Sequence, residues 1–112
     1  MKEAHTVALH ASPAFDAWIA DLRDIRAKAK IAQRLDRLRQ GNPGDVKSVG
    51  GGVSELRIKH GPGYRIYVEF RGKVAVILLC GGDKSTQAAD IARARKMVAD
   101  KEVPIADPDT TV

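Results

Sequence analysis

A chain of 112 residues with 44% hydrophobic content can bury one core but not two, so a single domain is expected. The net charge of +5 and a pI near 9.6 favour a polyanionic partner: nucleic acid, an acidic protein or a membrane surface. The longest apolar run, "VAVILLC", is far too short to span a bilayer, no signal peptide is visible, and the one cysteine, Cys80, has no disulfide partner. A soluble cytoplasmic protein, with Cys80 as a small buried hydrophobe, is the expectation.

Residues 2–10, "KEAHTVALH", resemble a strand, with Thr6, Val7 and Leu9 as the β-favouring members. Ser12 and Pro13 then signal a helix start, serine as the cap and proline in the first turn. Phe15, Trp18, Ile19 and Leu22 follow at the spacing of one buried helical stripe. A second helix is predicted from about Arg26 to Gln40, with Ile31, Leu35 and Leu38 inward and six basic residues elsewhere. "GNPG" at 41–44 ends it, because glycine accepts a left-handed cap and proline cannot continue a helix. The two helices are expected to pack as a hairpin.

The stretch 49–80 reads as three strands. Leu56 and Ile58 face one way and Glu55, Arg57 and Lys59 the other; Tyr64, Ile66, Val68 and Phe70 then oppose Arg65, Tyr67, Glu69 and Arg71. The third strand, Lys73 to Cys80, is apolar on both faces and should be the most buried. A three-residue "GPG" turn would pair His60 with Tyr64, Lys59 with Arg65, and Arg57 with Tyr67. Like charges placed opposite one another cost stability, which suggests a face that receives an anion. A solvated polar face neutralised by Glu55 and Glu69 fits the spacing equally well. After Cys80 the chain is predicted to turn at Gly81 and Gly82 and start a helix near Ser85, with Lys84 beside its free backbone N–H groups as a second anion contact. Residues 1–100 are assigned to the domain, and 101–112, with Pro104 and Pro108, to a loosely ordered tail.

Several chemistries lack support. "GGDKST" departs from a phosphate-binding loop, since Asp83 separates glycine from lysine and the first glycine is missing. His5, His10 and His60 show no metal-ligand spacing, and there is no nucleophilic-serine elbow. Neither metal nor cofactor is called for. The remaining set is Arg57, Lys59 and Arg65 with nearby His60 and Lys84, which could hold RNA phosphates and stabilise the charge that develops as a 2′-hydroxyl attacks phosphorus. His60, the one side chain of the set that titrates near neutrality unperturbed, is the candidate proton acceptor, and a lysine of lowered pKa the substitute.

The segments "FDAWIADLRD", "ELRIKHGPGYRIYVEFRG" and "LLCGGDKSTQAADIARA", in this order, resemble the RelE/ParE toxin superfamily, in particular its phage-derived, HigB-like branch. The resemblance implies a compact α+β fold of N-terminal strand, helical hairpin, three-stranded antiparallel meander and C-terminal helix. It also implies the toxin of a type II toxin–antitoxin pair, neutralised by a cognate antitoxin of helix-turn-helix type, that cleaves mRNA on the ribosome. By position it makes Arg65 the phosphate-stabilising arginine, Lys84 the donor to the leaving oxygen and Arg57 a further basic contact; His60 remains a catalytic candidate, and Lys59, Tyr67, Lys47, Arg34 and Arg37 are expected to contact RNA. The tyrosine that some members carry in the last helix has no counterpart in residues 87–91. The superfamily also includes gyrase inhibitors without nuclease activity, which is the alternative expectation.

Overall fold

The computed structural model describes residues 6–101. The α+β order expected from sequence is observed: β1 (Ala8–Ala11), α1 (Pro13–Asp21), α2 (Ile25–Arg39), β2 (Val46–Gly50), β3 (Val53–Ile58), β4 (Tyr64–Arg71), β5 (Ala75–Gly82) and α3 (Gln87–Asp100). Residues 2–5 of the expected first strand, and the tail beyond Lys101, lie outside the described residues. No helix among the described residues is long and apolar enough to cross a membrane.

The N-terminal cap of α1 is the one expected from sequence; that of α2 was not anticipated. Ser12 accepts from the Phe15 N–H at 3.0 Å, and its hydroxyl donates to the Leu79 carbonyl, so the cap also ties α1 to β5. Asp24 caps α2 by accepting from the Ala27 N–H at 3.0 Å. At the far end of α2, Gly41 is left-handed (φ 84°) and the Asn42 N–H bonds back to the Arg37 carbonyl at 2.8 Å.

The strands form one sheet in the order β1-β5-β4-β3-β2, with β1 parallel to β5 and every other pair antiparallel. The meander therefore has four strands rather than three. β2 escapes a hydrophobicity reading because Val46 and Val49 are its only apolar members and it lies at the sheet edge, where one side needs no covering. The signal for it was the pair Gly51-Gly52: both have positive φ, as a tight hairpin turn requires.

The sheet is covered on both faces. Against α1 and α2 pack Leu56, Ile58, Tyr64, Ile66, Val68, Val76 and Leu78; against α3 pack Val53, Tyr67, Ile77, Leu79 and Cys80. A bulge explains how adjacent Leu79 and Cys80 share a face. Tyr67 pairs with Cys80 and Val68 with Leu78, so Leu79 is the extra residue.

Gly81 and Gly82 do not break the strand as expected but end it. A Cβ at Gly81 would lie 2.3 Å from Cε3 of Trp18, so the indole of α1 packs directly on strand backbone. Gly81→Ala is expected to cost about 3 kcal/mol through overpacking, measured as a lowered urea midpoint with unchanged slope.

Candidate nucleic-acid interface

The hairpin between β3 and β4 determines which charges meet. Ile58 pairs with Tyr64, Arg57 with Arg65 and Glu55 with Tyr67, two residues away from the expected register. The loop spans five residues, 59–63, instead of three, and closes through the Gly63 N–H to the His60 carbonyl at 3.1 Å. A two-residue shift preserves which face each side chain occupies, so the apolar pattern alone could not distinguish the two registers. The correction is specific: Arg57, not Lys59, stands directly across from Arg65.

An open groove of about 470 Å³ lies here, lined by Asp45, Arg57, Lys59, Gly63, Tyr64 and Arg65. Arg57 reaches Asp45 at 3.2 Å in a pair that remains about 40% exposed on each side (42% and 41%), too solvated to neutralise either charge strongly. Arg65 is more enclosed. Its Nη1 donates to the Gly63 carbonyl at 2.8 Å and its Nε lies 3.5 Å from Glu55 Oε2. Glu55, 1% exposed, also accepts from the Tyr67 hydroxyl at 3.2 Å and from Gln87 Nε2 at 2.9 Å.

Gly63 brings the second sequence candidate to the first. Its φ of +80° is left-handed, and a Cβ placed on it would lie 3.4 Å from Arg65 Nη1 and 3.7 Å from Lys84 Cβ. Lys84 is exposed and springs from this point. Its surroundings differ from expectation, because Lys84–Thr86 form a short 3-10 turn and α3 begins only at Gln87. Asp83 fills the place an anion would take, accepting from the Ser85 N–H at 2.8 Å and from the Ser85 hydroxyl. Those two bonds, with the nearby Arg65 charge adding, hold the Asp83 carboxyl below its ordinary range.

Other candidates do not converge on the groove. His60 Nε2 lies 3.1 Å from Asp24, the cap of α2, and its ring stacks on Tyr64. The Ala27 N–H is the main cause holding Asp24 below the ordinary carboxylate range, with His60 contributing. His60 thus clasps the β3–β4 loop to a helix end and does not meet Arg65. Tyr67, expected on RNA, is fully buried under α3; burial first, then the Glu55 charge, pushes its phenol well above the ordinary range.

Arg34, also expected on RNA, donates to the carbonyls of Pro43 (2.8 Å), Arg57 (2.6 Å) and Asp45 (2.6 Å), pinning α2 to the start of the meander. Arg37 is exposed in the last turn of α2, the helix that covers the other face of the sheet. Lys47, exposed on β2, pairs in register with Glu55 and therefore shares the sheet face of Arg65, at its edge.

Arg57, Lys59 and Arg65 line one groove, Lys84 is rooted beside it at Gly63, and Asp45 and Glu55 are the counter-charges. Chemically the arrangement can hold a phosphodiester and stabilise added negative charge on it. Sequence reading missed Gln87 as part of the site and considered Glu55 only as a neutralising neighbour, not as a buried support of Arg65. Glu55 carried a signal all the same, as an acidic residue inside a strand, two positions before an arginine on the same face.

Fold and groove define a small α+β protein with a cationic concavity on one sheet face. Residues 17–106 match the phage-derived, Gp49-like protein family (DUF891), and the chain belongs to that family. The family falls among the RelE/HigB-like toxins, a toxin–antitoxin type of protein, which supports a toxin role and fits an antitoxin partner. An uncharacterized protein of Haemophilus influenzae is 52% identical over 90 residues, covering 80% of this chain and 91% of that protein.

Proposed function

We propose that this protein is the toxin of a type II toxin–antitoxin pair and acts as a metal-independent endoribonuclease on mRNA bound to the ribosome, neutralised by its cognate antitoxin. The observation that carries the reading is the meeting of Arg65 and Lys84 at Gly63, on the rim of a groove that also holds Arg57 and Lys59. Arg65 neutralises the charge that grows on the phosphate as the 2′-oxygen attacks; Lys84 stands within reach to supply a proton to the leaving 5′-oxygen. The +5 net charge draws the protein to ribosomal RNA. His60, spent on Asp24, is not assigned a catalytic role.

Brief induction in cells, with new 5′ ends mapped across all transcripts, tests this. Cuts confined to translated regions are expected, and Lys84→Ala should reduce them by about two orders of magnitude. Arrested growth with unchanged transcripts would overturn the nuclease reading and direct attention to DNA gyrase.

A further inference from the structure

Among the described residues, Glu55 is the one charged side chain that is fully buried. A carboxylate removed from water is stable only where donors replace its hydration. Glu55 has two, Tyr67 and Gln87, both on one oxygen, and the Arg65 guanidinium forms an ion pair with that oxygen, its Nε 3.5 Å away without a hydrogen bond. They come from two elements. Tyr67 and Arg65 are on β4, at positions separated by one turn of the pleat, and Gln87 is the first residue of α3.

The consequence falls on Arg65. A free arginine side chain samples many rotamers, and a groove that must meet a phosphate in one orientation gains from removing that freedom. The Arg65 guanidinium is held at two points: Nη1 donates to the Gly63 carbonyl, and the buried Nε, which makes no hydrogen bond, lies within ion-pair range of Glu55 at 3.5 Å. Nη2 has no hydrogen-bond partner among the described residues, and Arg65 lines the groove. Arg57, directly across in register, would push a loose Arg65 away by like charge; Glu55 supplies the opposing attraction from behind.

We propose that Glu55 is a positioning residue: with Tyr67 and Gln87 as its supports, it holds the Arg65 guanidinium with Nη2 presented to an RNA phosphate. Glu55 touches no substrate itself. The inference rests on the reading of the groove as an RNA-phosphate site, and two independent readouts separate the fate of the two.

The first readout is the Arg65 Nε–Hε resonance in the purified protein. In the wild type it should be a sharp, slowly exchanging signal, and in Glu55→Gln it should broaden or vanish. The second is single-turnover cleavage on ribosomes carrying a defined mRNA. Glu55→Gln should slow the saturating rate by about 10- to 100-fold, the scale of a small misplacement of a reacting group. Because a negative charge beside the groove is lost, the half-saturating concentration should stay level or fall, which a merely structural defect would not produce.

If Glu55→Gln does not fold, Tyr67→Phe and Gln87→Met each remove one support while keeping the carboxylate, and each should show the same effects at smaller size. A folded variant with the Arg65 resonance and cleavage rate of the wild type would overturn the proposal. Should the wild type cut no RNA, the nuclease reading falls and the resonance alone decides: lost in Glu55→Gln it supports the positioning role, unchanged it refutes it.

Discussion

Replacing Arg65 by alanine is expected to lower RNA cleavage by two to four orders of magnitude, about 3–5 kcal/mol of transition-state stabilisation. The size follows from what the side chain holds. Arg65 is enclosed between Gly63 and Glu55, and a charge fixed in a partly dry site acts more strongly than one in water. Arg65→Lys should recover little, since an ammonium cannot address Glu55, the Gly63 carbonyl and a phosphate from one rigid plane.

The substitution also removes the ion-pair partner of Glu55. A stability loss of roughly 1–3 kcal/mol is expected to accompany it, less than for a fully abandoned carboxylate because the bonds from Tyr67 and Gln87 remain. Single-turnover kinetics at a temperature well below the measured Tm separate the two effects. A folded Arg65→Ala protein with the wild-type rate would remove Arg65 from the mechanism.

The second large effect concerns alkaline pH. Burial, and next the Asp90 charge, pushes the Cys80 thiol from 9.0 to about 11, and burial raises the Tyr67 phenol above its usual 10. Both groups are neutral when protonated, and both folded values exceed the unfolded ones. Their contribution is therefore intact below pH 9 and lost as pH rises through the folded values, since the unfolded chain releases these protons first. The rise for Cys80 alone corresponds to roughly 2–3 kcal/mol once pH exceeds 11, with Tyr67 adding to it above pH 10.

Set against a typical stability of about 5–15 kcal/mol, this should appear as a steep fall in the urea midpoint between pH 9 and 11. Cys80→Ala, although less stable at neutral pH because of the cavity it leaves, should show a flatter curve over the same window. An equally steep curve in that variant would place the cause elsewhere.

The hairpin shows where sequence reasoning reached its limit. The alternation in "ELRIK" and "YRIYVEFR" fixes which side chains share a face, because strand periodicity is a local property. It does not fix register, since a slip of two residues keeps every apolar side chain inward. That choice was made by the five-residue loop, in which Gly61 and Gly63 adopt left-handed backbone and His60 finds Asp24 on α2. The same limit applies to Arg34 and Tyr67. Both looked available to RNA because nothing local shows that three carbonyls await the one or that α3 covers the other.

By itself, then, the sequence determined the α+β class, the helix cap at Ser12, the alternating faces of the central strands and the candidacy of Arg65 and Lys84. Each of these depends on neighbours within a few positions along the chain. Only the tertiary structure decided the fourth meander strand, the pairing of Arg57 with Arg65, the meeting of Arg65 with Lys84 at Gly63 and the burial of Glu55 behind them. Those depend on contacts between residues far apart in the chain, such as Glu55 and Gln87, whose geometry is set by loop closure and by helix packing on a twisted sheet.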